Sequence, residues 1–265
     1  MPRMSFRTAL ITGASAGLGA EYARQLAASG TDVILVARRL DRLEELARDL
    51  RSKHGIAADV IRADLSTSDG MAAVESRIAA SPTLDLLVNN AGFGGRTGFV
   101  KGGTSDHLYM VRVHVEATVR LTKAALPGMI DRGRGAVINV SSVAAFSPYS
   151  GAMYSGTKAF LVMFSQNLSG ELRSKGIVVQ ALCPGLTHTE FHQVAGVHLT
   201  GVPEMFWRTA DFVVRTSLRR IGHGGVCVPG WENKAVSFLM RCPITAAAVR
   251  AVGRSKAVQK RAGGN

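Results

Sequence analysis

Cysteine is scarce in this chain: Cys183, Cys227 and Cys242 are scattered, and no Cys-x-x-Cys pair occurs. An odd, dispersed set argues against a disulfide framework and a zinc–thiolate centre, and fits a reducing compartment such as the cytoplasm. Proline is also sparse, no Pro- or Ser-rich stretch divides the chain, and no segment repeats, so residues 1–265 are expected to form one domain. No apolar run approaches the ~20 residues a membrane-spanning helix needs. The N-terminus runs into a strand pattern with no apolar stretch of signal-peptide length before it. Acids are outnumbered, 19 against 32 bases, giving a formal charge of +13. Such an excess suits nucleic acid, anionic lipid or a phosphorylated ligand, or is a solvated basic surface. Aromatics make up only 6% and no helix-turn-helix or RNA-binding signature is present, so nucleic acid is not expected as a partner.

What is present is an alternation. Near-continuous Val/Ile/Leu runs at 8–12, 32–38, 57–63, 84–92, 135–142 and 177–185 read as buried strands. Between them, segments 20–29, 40–53, 69–80 and 105–131, and a stretch carrying Tyr154, have helical spacing. Apolar strands alternating with helices predict an α/β fold of the Rossmann type, a doubly wound parallel sheet with helices on both faces. After Gly185 the pattern weakens. Residues 186–225 read as a loop region with short helices over a substrate, and 234–265 as a basic extension.

Three stretches carry chemistry. Thr12 to Gly19, TGASAGLG, follows the first strand and opens the first helix. Glycines at 13, 17 and 19 permit a tight turn and close backbone approach, and helix N-terminal amides then face a diphosphate. Gly13, Ser15, Gly17, Leu18 and Gly19 are the expected cofactor contacts there. The second strand ends Ala37-Arg38-Arg39, where NAD sites usually carry an acid for the ribose hydroxyls. Two guanidinium groups there favour NADP(H) over NAD(H), since either can pair with a 2′-phosphate. Asp64, at the end of the third strand, can bond the adenine edge or equally be a helix cap before Ser66. Finally, Tyr154 and Lys158 lie one helical turn apart, so both leave the same face.

The series Gly-x-x-x-Gly-x-Gly, Asn89-Asn90-Ala91-Gly92, Ser142, Tyr154-x-x-x-Lys158 and Pro184-Gly185 resembles the short-chain dehydrogenase/reductase family over residues 7 to about 190. The resemblance implies a nicotinamide cofactor and metal-free interconversion of a carbonyl and an alcohol. It implies Tyr154 as proton donor and acceptor, with the Lys158 ammonium lowering a phenol pKa that is ordinarily near 10. Lys158 would also hold the nicotinamide ribose, and Ser142, preferred over Ser141, would bond the substrate oxygen. Asn90, Ala91 and Gly92 would shape the turn near the adenosine side. Pro184, Gly185, Thr187 and Thr189 would line the nicotinamide and diphosphate.

One position departs from the family. Twenty-eight residues before Ser142, where the family has an Asn thought to hold a relay water, stands His114. It either serves that water, since imidazole donates and accepts, or is a histidine satisfied in helix packing. In the substrate region Phe191, Val194, Val197, Leu199, Met205, Phe206 and Trp207 suggest a lipophilic carbonyl or alcohol substrate, with His188 and His192 nearby. Residues 234–261 mix apolar and basic side chains, including Arg250, Arg254, Lys256, Lys260 and Arg261, and suit an anionic membrane surface or a partner subunit equally. The family implies a homodimer or homotetramer. A non-catalytic NADP(H) sensor or scaffold is the competing function.

Overall fold

The computed structural model describes residues 4–95, 98–147, 150–190 and 203–241. Its strands are β1 (Thr8–Thr12), β2 (Asp32–Ala37), β3 (Ala58–Arg62), β4 (Leu84–Asn89), β5 (Gly135–Val140) and β6 (Ile177–Leu182), followed by the two-residue β7 (Thr187–His188), β8 (Arg208–Thr209) and β9 (Val226–Cys227). The main helices are α1 (Gly17–Ala27), α2 (Leu40–His54), α3 (Ser68–Ala79), α4 (Thr104–Val111), α5 (Ala117–Asp131), α6 (Ala152–Leu172), α7 (Ala210–Arg220) and α8 (Trp231–Arg241).

Seven strands form one sheet in the order β3-β2-β1-β4-β5-β6-β9, all neighbours parallel. Every residue of β1, β4 and β5 is buried, which is why these strands read as unbroken apolar runs. Alternate side chains serve opposite faces. Ala9, Ile11, Val33 and Leu35 pack with Tyr22 and Leu26 of α1, Leu43 of α2 and Val214 of α7. Leu10, Ile34 and Val36 pack with Met71 and Val74 of α3 and Leu121 and Met129 of α5. The result is a Rossmann-like single domain.

Several boundaries differ from expectation for local reasons. Helix α1 starts at Gly17, inside the glycine-rich loop, rather than at 20, because the loop's last turn is already helical. The helical segment expected as continuous over 105–131 contains a π-helical turn, Arg112–Glu116, between α4 and α5. Strand β9 joins the sheet edge through only Ala181–Val226 and Leu182–Cys227 pairs, too short to leave a periodic signal. Strands β7 and β8 form a separate two-stranded ribbon within the region expected as loop, and α7 is an eleven-residue helix there.

The sheet order reverses between β1 and β4. In open α/β sheets the crevice at the carboxyl ends of such strands is where ligands bind. The glycine-rich loop follows β1 and the Asn-Asn-Ala-Gly turn follows β4, so both border that crevice. Among the described residues no helix is long and apolar enough to cross a membrane. The basic residues from 250 onward lie outside the described residues.

Candidate functional site

At the switch point the backbone is drawn tight. Gly13 and Gly17 have φ of 66° and 55°, the left-handed region that suits glycine. A Cβ on Gly19 would lie 2.4 Å from the Gly13 carbonyl oxygen and 2.6 Å from Asn90 Nδ2. Asn90 Nδ2 donates to the carbonyls of Thr12, at 2.8 Å, and Gly13, at 3.3 Å. The backbone amides of Asn90 and Ala91 donate to Thr12 Oγ1 at 2.9 and 3.0 Å. The end of β4 thus holds the loop after β1 in place. Helix α1 begins after Ala16, which supplies no side-chain cap, and its first amides open onto the loop. Glycine backbone plus uncapped amides is a cradle suited to a diphosphate. Leu18 is half-buried against the core and anchors the first turn of α1.

Charge gathers beside this cradle. Arg39 Nε and Nη2 donate to Ser15 Oγ at 3.2 and 3.1 Å. Arg39 Nη1 also lies 3.2 Å from Glu190 Oε2, and Arg42 Nη1 lies 2.8 and 3.1 Å from the two Glu190 oxygens. Arg38 turns elsewhere, donating to Tyr109 Oη at 2.7 Å. Asp64 Oδ1 accepts from the Ser66 amide and hydroxyl at 2.9 and 2.8 Å, so it closes a local turn rather than capping the helix as expected. The cap of α3 is Thr67, which accepts from the Gly70 amide.

The hydroxyl and amine groups of the motif meet past the end of β5. Of the two serines there, Ser141 is engaged with the Lys158 carbonyl at 2.7 Å, and Ser142 hydrogen-bonds Tyr154. Ser142 Oγ accepts from the Ala144 amide at 3.1 Å, leaving its own proton to donate. Lys158, 4% exposed, donates from Nζ to the Val140 carbonyl at 2.8 Å and lies 5.8 Å from the Tyr154 ring centroid. Burial pushes the Tyr154 phenol up to about 12, opposed by the Ser142 hydrogen bond. Burial pushes the Lys158 ammonium down to about 8, partly opposed by Cys183. Burial thus sets the phenol above its ordinary value, against the lowering that the resemblance implies, and the Lys158 ammonium bonds a backbone carbonyl.

His114 is 1% exposed and sits in the π-helical turn. Its Nε2 accepts from the Phe93 amide at 3.0 Å, so that nitrogen carries no proton. Its Nδ1 is 3.0 Å from Thr157 Oγ1, whose own proton goes to the Tyr154 carbonyl, so Nδ1–H donates to Thr157. Burial, and then the Lys158 charge, hold the imidazole well below its ordinary pKa and neutral. A Cβ on Gly92 would come within 3.1 Å of His114 Nε2 and 3.4 Å of Lys158 Nζ. Phe93 packs between Tyr109 and His114, at centroid distances of 5.1 and 5.2 Å, and His114 meets Tyr154 edge-on at 6.1 Å.

The segment after β6 closes one side. The Pro184 carbonyl accepts from Val143, and a Cβ on Gly185 would strike Asn233 of α8 at 2.1 Å. Thr187 Oγ1 donates to the Gly185 carbonyl, and Thr189 lies against Gly17. His188 stacks on Trp207 at 4.8 Å and bonds Glu204 at 2.7 Å. Met205 is exposed and Phe206 half-buried, while Phe191, His192, Val194, Val197 and Leu199 lie outside the described residues. Sequence reasoning missed Arg42, Tyr109, Phe93, Thr157, Glu190 and Asn233. Phe93, next to Gly92, Thr157, inside the Tyr154-x-x-x-Lys158 spacing, and Glu190, next to Thr189, stood where a motif could have drawn attention to them.

Two outcomes follow from this geometry. Gly19→Ala forces a methyl into the Gly13 carbonyl; a drop in thermal midpoint and at least tenfold weaker dinucleotide binding in fluorescence titration are expected, and unaltered binding would contradict the close approach. Lys158 releases its proton near pH 8 in the native state, against 10.5 ordinarily, so between these values the unfolded chain holds more protons and stability rises with pH. Below pH 8 the burial penalty is present in full, on the order of 3 kcal/mol. Lys158→Met removes this rise, measured as the difference between wild-type and variant urea-unfolding free energies from pH 7 to 10.5; parallel curves would exclude the buried charge.

Comparison with known proteins agrees with this arrangement. The family model described as short chain dehydrogenase matches residues 7–198. A serine 3-dehydrogenase of Agrobacterium fabrum is 40% identical over 191 residues, covering 69% of this chain and 73% of that protein. A very-long-chain 3-oxoacyl-CoA reductase of Macaca fascicularis is 30% identical over 229 residues, covering 84% and 73%. Among solved structures, a short-chain dehydrogenase from Sphingobium yanoikuyae in complex with NADPH superposes with a TM-score of 0.83 at 34% identity, covering 94% of this chain and 96% of the other. With the motif order, the parallel sheet and the family match in agreement, the chain belongs to the short-chain dehydrogenases, oxidoreductases built on an NAD(P)-binding Rossmann-type sheet.

Proposed function

We propose that the protein reduces a lipophilic ketone, aldehyde or acyl carbonyl with NADPH, or runs the reverse oxidation, with Tyr154 as the proton donor and acceptor. The observation that carries this is the placement of the Tyr154 phenol: half-buried, bonded to Ser142, and one turn from Lys158. The nicotinamide supplies the hydride. Gly13, Ser15, Gly17, Leu18 and Gly19 would cradle its diphosphate, and the close packing of Gly19 on Gly13 and Asn90 supports that fit. Ala91 and Gly92 would continue the wall, with Pro184, Gly185, Thr187 and Thr189 on the other side.

A phenol held up near 12 keeps its proton at neutral pH. It is thus suited to protonate the oxygen of a carbonyl as charge builds there, while Ser142 donates a second hydrogen bond to the same oxygen. Taking a proton from an alcohol asks the same group to ionise, so the oxidative direction should gain with rising pH. Lys158 would bond the ribose. The preference for NADP(H) over NAD(H) rests on Arg39, joined by Arg42, and on the lack of an acid at the end of β2. Arg38, being bonded to Tyr109, has a smaller part, and Asp64 a structural one. The lipophilic substrate rests on Trp207, stacked on His188, and on the sequence of Phe206 and the apolar residues of 191–199. Self-association through α6 belongs to the same reading, because Phe160 and Met163 are exposed on it and Phe160 stacks on Phe164.

His114 is read as a positioning residue. Both its nitrogens are engaged, so a relay through it would need one of these bonds to break. His114→Asn is expected to lower turnover several-fold while leaving the shape of the pH–rate profile unchanged; a displaced profile would restore the relay. The function itself is tested by loss of NADPH absorbance across a panel of lipophilic ketones and aldehydes. Tyr154→Phe should cut the rate by roughly 10²–10⁴-fold with NADPH binding retained. Activity that persists without the phenol would refute the assignment.

A further inference from the structure

The cationic corner beside the glycine-rich loop already contains an anion. Glu190 follows Thr189, which lies against Gly17, and its carboxylate lies between two guanidinium groups: Arg39 at 3.2 Å and Arg42 at 2.8 Å. Arg39 reaches Ser15 of the loop with its other nitrogens. Ser15, Arg39, Arg42 and Glu190 thus form one polar cluster, supplied by the loop after β1, the start of α2 and the segment after β7. A single Arg42 nitrogen, Nη1, reaches both Glu190 oxygens and Arg39 Nη1 reaches one of them; charge-assisted N–H···O bonds of this kind are also how guanidinium groups hold phosphate oxygens.

We propose that Glu190 is an internal counter-ion that holds the place of the cofactor's 2′-phosphate at Arg39 and Arg42, and so sets how strongly the site discriminates phosphorylated from unphosphorylated dinucleotides. This rests on the NADP(H) reading above. The charges decide the direction. A phosphate monoester brings close to two negative charges and three oxygens, against one charge and two oxygens for the carboxylate. The phosphate therefore wins the two guanidinium groups, but each binding event must first displace Glu190. A dinucleotide without the phosphate has nothing to gain from that displacement and leaves the ion pairs standing. Glu190 accordingly weakens NADPH binding and leaves NADH binding unchanged. All three side chains are partly exposed, at 42%, 43% and 45%, so solvent screens the pairs and the effect is modest.

The experiment is equilibrium binding of NADPH, NADH and 2′,5′-ADP to the full chain and to Glu190→Gln, which keeps the shape and removes the charge, by fluorescence titration at fixed low salt. Expected is a roughly threefold to tenfold tightening for NADPH and for 2′,5′-ADP, with NADH unchanged. Equal tightening for NADPH and NADH, no change, or weaker NADPH binding would overturn the proposal; the last would mean that Glu190 orders the arginines for the phosphate instead of competing with it. Wild-type protein that binds NADH in preference to NADPH and does not bind 2′,5′-ADP would instead overturn the cofactor reading itself. Failure of this inference alone leaves the wild-type preference for NADPH intact.

Discussion

The tie between Asn90 and the end of β1 is the constraint on which the site depends. One side-chain amide reaches two successive carbonyls, Thr12 and Gly13, while Thr12 Oγ1 takes the two amides that follow β4. These bonds fix two parallel strands at the point where the sheet order reverses, and they leave no room for a side chain at Gly19. A crevice that would otherwise be only a gap between loops acquires a floor of defined shape. The first turn of α1, the Gly92 corner beneath Lys158 and the Thr189 contact on Gly17 are all positioned from it.

Above that floor, desolvation is the governing electrostatic effect. Burial raises Tyr154, lowers Lys158 and holds His114 neutral. The three groups lie close together, yet they do not titrate as a simple ion pair. Lys158 is aimed at the Val140 carbonyl, and His114 is held between Phe93 and Thr157. The preference that emerges is for a protonated phenol. Adjacency in sequence indicated that Tyr154 and Lys158 would share a helix face. It did not reveal that the ammonium would find a backbone partner first.

Much of the architecture was legible in the chain because parallel strands buried on both faces must be apolar throughout. Five of the six long strands were visible for that reason, while β3, at the sheet edge, carries exposed Asp59 and Arg62; the glycines were visible because their positions reflect steric demands. What was hidden has physical causes as well. Strands β7, β8 and β9 are two residues each, shorter than any period. The π-helical turn at Arg112–Glu116 has no local composition that distinguishes it from an α-helix. Ser142 was preferred over Ser141 from its distance to Tyr154 and the Val-Ala-Ala that follows it. Tyr109, the partner of Arg38, and Glu190, which Arg39 meets besides Ser15, lie 71 and 151 positions away, and no reading of a linear motif brings them to these arginines.

The widened turn around His114 has a consequence of its own. A π-turn accommodates one residue more than an α-helix of the same rise, and each residue of an α-helix advances the azimuth by about 100°. Shortening this turn by a single residue would swing α4 around its axis relative to α5. Tyr109 would be carried away from both Arg38 and Phe93, so the outermost ring of the stack would part from the inner two. The surplus residue therefore acts as a spacer of angle rather than of length: it keeps a guanidinium at the rim of the crevice and a phenol at its base in register through an unbroken series of ring contacts.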